Sequence, residues 1–319
     1  MKRLSKLFVA LTIASLILGF SIADQTSAAY PEKMITYIVP FKAGGGTDRT
    51  ARILSTGAID HFGQAWHVRN MPGASAIVGW KELLRRPVDG YTIMQSSSTP
   101  VIALLLEEPP PLSPFDIKIA CYVAGFRSII VSKPGAEWSS WEKFKAAAKK
   151  DPGKITLAGT QSLLMGAAAM FDQAGIKVNF VPYESTGAAV ADFLGGHVNC
   201  LAATSSTLLP LIPEKATPIV NTSDVPLPEK LKEFKDVPDA KSLGYEGMFF
   251  PRWVGVHPDT PDEIVDIISE KMSKLVKDKS VKKLFSKIGE EIIFLPRSEA
   301  EVAYKQMVES MKKAIKLLK

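Results

Sequence analysis

The segment Ile35-Thr36-Tyr37-Ile38-Val39-Pro40-Phe41-Lys42-Ala43-Gly44-Gly45-Gly46-Thr47-Asp48 constrains this chain more than any other. Its β-branched and aromatic run breaks at Pro40 and reads as a strand; Thr47 or Asp48, ahead of Ala51, Ile53 and Leu54, reads as a helix start. Three glycines therefore lie between a strand end and a helix N-terminus. Glycine permits φ > 0 and lets a ligand approach the main chain, while the first helical N–H groups lack intrahelical partners and carry the positive end of the dipole. Such a loop is either a generic anion cradle or simply a tight turn. No Gly-Lys-Ser/Thr follows, and the glycines lack Gly-x-Gly-x-x-Gly spacing, which sets aside the two common nucleotide loops.

The N-terminus carries Lys2, Arg3 and Lys6, then the nearly all-apolar run Leu7 to Ile22, then Ser27, Ala28 and Ala29. Charge, apolar length and small residues are those of a secretory signal peptide, with cleavage expected before Tyr30 and Ser21-Ile22-Ala23 as a second candidate. No later run of about 18 apolar residues follows, so the mature chain is expected to be soluble outside the cytoplasmic membrane. Its roughly 290 residues suit two domains. Losing three basic residues and Asp24 with the leader lowers the formal charge from +6 to +4, a mild excess compatible with an anionic ligand. The basic residues are dispersed among acids, as in Glu270 to Lys283, and no nucleic-acid partner is expected. Cys121 and Cys200 could pair in an oxidising compartment, but both sit in strand-like apolar runs, where two small buried residues are the simpler reading.

Strand-like runs recur at 35–39, 65–68, 91–95, 117–123, 128–132, 155–158, 178–181, 198–203, 218–220 and 253–256. Helical patterns alternate with them at 48–62, 138–150, 164–173, 188–194, 262–277, 282–287 and 299–318. This alternation predicts an α/β fold with largely parallel sheets. Ser139–Glu142, Thr260–Glu263 and Ser298–Glu301 have capping-box spacing. Ile264, Ile267, Ile268, Met272 and Leu275, and Val302, Met307, Met311 and Ile315, form the expected core stripes of the last long helices. The proline-rich stretch 107–114 and the Pro/Lys-rich stretch 222–238 read as loops near a crossing between domains.

Several separated stretches then agree with one family. Tyr30-Pro31-Glu32-Lys33 with Ile38 to Asp48 resembles the mature opening of the TctC/Bug family of periplasmic solute-binding proteins, the receptors of tripartite tricarboxylate transporters. Arg69-Asn70-Met71-Pro72-Gly73-Ala74 resembles that family's Asn-x-Pro-Gly turn, and Asp89-Gly90-Tyr91-Thr92 also matches. Val181-Pro182-Tyr183 and Asp192-Phe193-Leu194-Gly195-Gly196-His197-Val198 resemble its Val-Pro-Tyr and Asp-Leu-Leu-Gly-Gly-x-Val block.

The resemblance implies a two-domain periplasmic-binding-protein fold of the Venus-flytrap type II class, with crossing strands. Domain 1 would comprise residues 30–123 and 247–319, and domain 2 residues 124–246. It implies a small carboxylate held in the interdomain cleft by two strand-to-helix loops. Carried over, these are Phe41, Ala43, Gly44, Gly45, Gly46, Thr47 and Asp48 in the first, and Thr160, Gln161 and Ser162 within the second, Ala158 to Met165. Ser96, Ser97, Thr204 and Ser205 match positions near the family cleft, at the carboxyl ends of strands where open α/β sheets bind ligands.

Some residues depart from the family pattern. The second loop is short, its common histidine is replaced by Met165, and Glu184-Ser185 stands where Lys-Gly is usual. These changes argue against a tricarboxylate and toward a monocarboxylate, an amphipathic acid or an acid with an amino group. Arg252 reads as an exposed arginine ahead of a strand, or as a partner for a second carboxylate. Asp48 is expected either to stabilise its helix N-terminus or to meet the ligand. No Gly-x-Ser-x-Gly elbow occurs, and His61, His67, His197 and His257 fall in no metal or triad context, so no enzymatic activity, metal or cofactor is expected. The expected function is capture of a small organic acid and its delivery, by a monomeric receptor, to the membrane permease subunits of a tripartite transporter. A periplasmic sensor acting on a signalling partner, and an enzyme on the same architecture, are the alternatives.

Overall fold

The computed structural model describes residues 30–229 and 231–317; the signal segment and both cleavage sites lie outside them. All ten expected strands form, and they divide into two five-stranded sheets. The first contains β1 (Ile35–Val39), β2 (Trp66–Asn70), β3 (Thr92–Ser96), β4 (Lys118–Phe126) and β10 (Phe250–Val256), in the order β2-β1-β3-β10-β4. The second contains β5 (Ile129–Ser132), β6 (Thr156–Gly159), β7 (Asn179–Pro182), β8 (Cys200–Ala203) and β9 (Thr217–Asn221), in the order β7-β6-β8-β5-β9.

In each sheet a single strand opposes the rest: β10 is antiparallel to β3 and β4, and β5 is antiparallel to β8 and β9. Both are strands that the chain enters on arriving from the other sheet. Phe126 ends β4 and Ile129 begins β5, so this crossing takes two residues; the return runs from Asn221 to Phe250. The two crossings are stitched together, because Ser128 O accepts from Thr222 N at 2.8 Å and from Thr222 Oγ1 at 3.1 Å. Arg127, itself buried, donates to Val225 O at 3.0 Å and to Glu291 Oε2 at 2.8 Å, and the rings of Phe126 and Phe250 stack 5.2 Å apart. The proline-rich stretch 107–114 is not a crossing: it is a largely exposed connection between β3 and β4 of the first sheet, leading from the helix Thr99–Leu106 that follows β3 into β4.

Helices cover both sheets: α1 (Gly46–Thr56), α2 (Ala58–Phe62), α3 (Ile77–Leu84), α4 (Thr99–Leu106), α5 (Trp141–Lys150), α6 (Gln161–Ala174), α7 (Thr186–Gly195), α8 (Ser205–Leu208), α9 (Asp262–Leu275), α10 (Lys279–Lys287) and α11 (Arg297–Ala314). Three of these, α3, α4 and the four-residue α8, lie outside the helical patterns expected from the sequence. In α4 the run Val101 to Leu104 is nearly all buried, so no polar face interrupts it. The three capping boxes do not form, because the helices begin at other residues: the N-caps are Ser140, Pro261 and Pro296, none with a side-chain bond. Side-chain caps occur instead at Ser185 and Asp278. The buried stripe of α11 is Ala300, Tyr304, Met307, Val308 and Met311, whereas Val302 lies on the opposite side, 56% exposed.

Cys121 and Cys200 are both free and buried, one on β4 and one on β8, in different sheets. Burial raises both thiol pKa values and keeps them protonated. On β10, Trp253 is fully buried and meets Trp80 and Tyr304 edge-on, each at 5.8 Å between ring centres. Replacing it by alanine removes both aromatic contacts and leaves a large hole beside a central strand. Trp253→Ala should lose about 3–5 kcal/mol in urea unfolding.

Candidate ligand-binding cleft

The strands that run toward the crossings end in loops that open into helices, so helix N-termini collect at one place. The N-terminal residues of α1, α4, α6, α7 and α8 all line a single cavity of about 530 Å³ between the two sheets. That is the size of a small organic ligand's site. The first intrahelical bond of α1 is from Arg49 N to Gly45 O, 2.9 Å, and that of α6 is from Leu164 N to Thr160 O, 3.0 Å. The N–H groups of Gly46, Thr47 and Asp48 in α1, and of Gln161, Ser162 and Leu163 in α6, therefore have no intrahelical acceptor. Two sets of donors, one from each sheet, sit at the positive ends of helix dipoles, an arrangement suited to an anion.

Asp48 sets the shape of the first loop. It is buried, and its Oδ2 accepts from Gly44 N at 2.8 Å, while Arg52 Nε reaches both carboxylate oxygens at 3.0 Å. Asn70, at the end of β2, donates to Asp48 Oδ1 at 2.8 Å and to Phe41 O at 3.1 Å. Burial alone would raise the Asp48 pKa, but the bonds from Arg52, Gly44 and Asn70 outweigh it and hold the carboxyl below its ordinary range. On the other side of the loop, Gln95 Nε2 donates to Thr50 Oγ1 at 2.5 Å and to Thr47 O at 3.3 Å, and its Oε1 accepts from Tyr37 at 2.6 Å. The Gly44 N–H is thus consumed by the loop itself, and the donors left for a ligand are those from Gly46 onward.

The glycines of this loop have different reasons. Gly44 has φ +83°, which other residues rarely adopt. At Gly46 the constraint is space: a Cβ would lie 2.5 Å from Arg252 Nη2.

Of the expected ligand-contacting residues, Phe41, Gly44, Gly45, Gly46, Thr47, Ser97, Thr160, Ser162, Thr204 and Arg252 line the cavity. Ala43, Asp48, Ser96, Gln161 and Ser205 do not. Asp48 is turned into the loop, Ser96 is wholly buried within β3, and Ser205 Oγ donates to Gly289 O at 3.4 Å. Glu184 is exposed and also outside the lining, so its charge is not set against a ligand there.

Arg252 is a buried residue of β10, 4% exposed, rather than an exposed residue ahead of it. Sequence reasoning missed Arg49, Thr99, Phe126, Leu163, Thr186, Gly187, Ser206, Thr207 and Glu290 in the lining. Thr186 and Gly187 lie two intervening residues beyond the Val-Pro-Tyr match, a signal that could have placed them; nothing local marks Glu290. Among the described residues no group of three or more His, Cys, Asp or Glu could hold a metal ion.

Comparison with known proteins places this geometry. The family model described as the tripartite tricarboxylate transporter family receptor, TctC, matches residues 50–318. The chain belongs to that family. The protein BugT of Bordetella pertussis is 27% identical over 289 residues, covering 86% of this chain and 87% of BugT. A TctC solute-binding protein from Polaromonas, solved without ligand, superposes with a TM-score of 0.78 at 24% identity, over 90% of this chain and 99% of that one. Rpa4515 of R. palustris, solved with adipate, superposes at 0.76 with 20% identity, over 90% and 98%. The two-sheet architecture is thus the periplasmic-binding-protein fold of TctC receptors, as the residue motifs implied.

Two outcomes follow for this TctC-family loop. Gly46→Ala should lose about 1–3 kcal/mol, since a methyl group displaces a buried arginine, whereas Gly45→Ala, with no such neighbour, should change stability by under about 1 kcal/mol; urea unfolding measures both. Asp48→Asn should be less stable than the parent at pH 7. Because the folded pKa of Asp48 is depressed, its contribution is present above the unfolded value of about 3.9 and lost as pH falls through the folded one. The deficit of the variant should therefore hold from pH 7 to about 4 and shrink below it.

Proposed function

We propose that the protein is a periplasmic receptor that binds a small organic acid in this cleft and presents it to the permease subunits of a tripartite tricarboxylate-type transporter. The observation that carries this reading is the convergence of unpaired first-turn N–H groups from α1 and α6 on one ligand-sized cavity. They can hold a carboxylate with neutral dipoles supplied by both sheets. The adipate of Rpa4515 supports a carboxylate as the ligand class.

On this reading the two sheets belong to two domains which hinge at the stitched crossings, residues 30–126 with 247–319 and residues 127–246, the first boundary lying at the end of β4 rather than at the expected 123/124. A ligand that contacts both sets of N–H donors only when the domains are together favours the closed state by that difference. The receptor acts as a monomer, without catalysis, after removal of a signal peptide near Ala29/Tyr30.

The test is a thermal-shift and calorimetric screen of the purified mature protein against mono-, di- and tricarboxylates, with amino acids and sugars as controls. An acid at about a hundred times its dissociation constant should add roughly 2.7 kcal/mol of stability and raise the melting temperature by several degrees. A response to sugars or neutral solutes and to none of the acids would overturn the reading.

A further inference from the structure

Outside the cleft, a concentration of positive charge lies on α10 and the turn that leads into it. Residues 277–287 contain Lys277, Lys279, Lys282, Lys283 and Lys287 against a single acid, Asp278. The interspersion of bases and acids expected over Glu270 to Lys283 holds for α9, where Lys274 donates to Glu270 at 2.6 Å, but not beyond it. All five lysines are exposed, and among the described residues none of them forms an ion pair or a side-chain hydrogen bond. Asp278 is occupied at the helix start: its Oδ1 accepts from Ser280 N at 2.7 Å, and its Oδ2 lies 3.5 Å from His61 Nε2. These lysines outnumber the +4 carried by the whole chain without its leader, so the rest of the molecule is close to neutral.

Helical geometry gathers the lysines on one side. Val281 and Phe285 are the buried residues of α10, and Lys279, Lys282, Lys283 and Lys287 project from the opposite side. The helix it packs on adds to this charge: α1 has Arg49 and Arg52 exposed, while its one acid, Asp48, is buried and bound to Arg52. The two helices run antiparallel. A Cβ on Gly57, just after α1, would lie 3.5 Å from Val281 Cγ2 in the first turn of α10, and a Cβ on Gly46, which begins α1, would lie 3.5 Å from Glu290 Oε1, just past the end of α10. The lysine side therefore runs up to the cleft wall, where Glu290 lies.

Like charges four residues apart on a helix, as in Lys279 with Lys283 and Lys283 with Lys287, are destabilising, and no acid in the fold relieves them. An anionic surface outside the protein would. Protein partners ordinarily meet an interface core rich in aromatic residues, Met and Arg and poor in Lys. The exposed residues of α10 are instead four lysines and two serines, Ser280 and Ser286, with no apolar anchor to fix a register. Such a face suits a surface that is negative and laterally uniform, which a bilayer containing anionic phospholipid provides. No helix among the described residues is long and apolar enough to cross a membrane, so the contact would be peripheral.

We propose that the lysine side of α10 is a docking surface for anionic phospholipid, which holds the protein against a membrane with one edge of its cleft beside the bilayer. The proposal goes beyond the receptor reading and does not depend on which acid the cleft takes.

Its test is co-sedimentation of the purified mature protein with vesicles of phosphatidylcholine alone or with about 30% phosphatidylglycerol, at about 50 and about 300 mM salt. At low salt the anionic vesicles should bind at least about tenfold more tightly than the neutral ones, and the higher salt should remove at least about tenfold of that affinity. Combining Lys279→Gln, Lys282→Gln, Lys283→Gln and Lys287→Gln should weaken binding at least about tenfold. Combining Lys143→Gln, Lys149→Gln, Lys150→Gln and Lys177→Gln, which removes the same charge from exposed positions on other elements, should cost less than about threefold. Equal losses in the two variants would reduce the effect to net charge and overturn the docking surface. So would the absence of wild-type binding to anionic vesicles at low salt; retention on immobilised polyglutamate in that case would assign the lysines to an acidic protein instead. Should the α10 variant not fold, Lys282→Gln and Lys287→Gln singly, each expected to lose about threefold, take its place. Acid binding in the cleft, read separately, should be unchanged in the α10 variant.

Discussion

The position of the cleft follows from how one chain can build two sheets. Strands of a parallel sheet deliver their carboxyl ends, and the loops that follow, to the same edge. A chain leaving the first sheet at that edge, after β4, must enter the second sheet from the edge and run away from it, so β5 opposes its neighbours. The same holds for β10 on the way back. The two antiparallel strands are thus the consequence of crossing, and they force both sets of strand-to-helix loops to face one another. Every donor in the cavity inherits its place from this constraint, and the hinge-like stitching of Ser128 to Thr222 lies at the same edge.

Within that frame the site is built mainly from neutral groups. Helix starts supply N–H donors, and serine and threonine hydroxyls surround them, while the buried arginine carries its own counter-ion. Neutral donors bring no desolvation penalty comparable with that of a buried lone charge. Their geometry must then be held by other residues. Asp48, Arg52, Asn70 and Gln95 do this for the first loop, from outside the cavity lining. Substitutions at these positions would disturb affinity without touching a ligand, through the position of the Gly46 to Asp48 amides.

Much of this was legible in the residues. All ten strands are marked by short apolar runs, most of them β-branched, and the strand-glycine-helix transition at Val39 to Asp48 identifies one half of the cleft. What escaped did so for physical reasons. The α4 helix is apolar nearly all round, so it shows no period, and the capping boxes at Thr260 and Ser298 lost to prolines that shift the helix start. Arg252 was legible as unusual but not as buried, since its environment depends on Glu290, thirty-eight residues away and on a different element. The Glu184 substitution pointed to a charge that the fold keeps outside the lining. Local patterns report periods and turns; pairings across a crossing are set by topology.

Amide hydrogen exchange, read residue by residue with and without a saturating small carboxylate, tests the central claim most directly. A carboxylate held by both loops should slow exchange at Gly46 and Thr47 and, together with them, at Ser162 and Leu163, which line the cavity and whose N–H groups have no intrahelical acceptor. Protection confined to one of the two loops, or binding that leaves both sets of amides unprotected, would contradict the account.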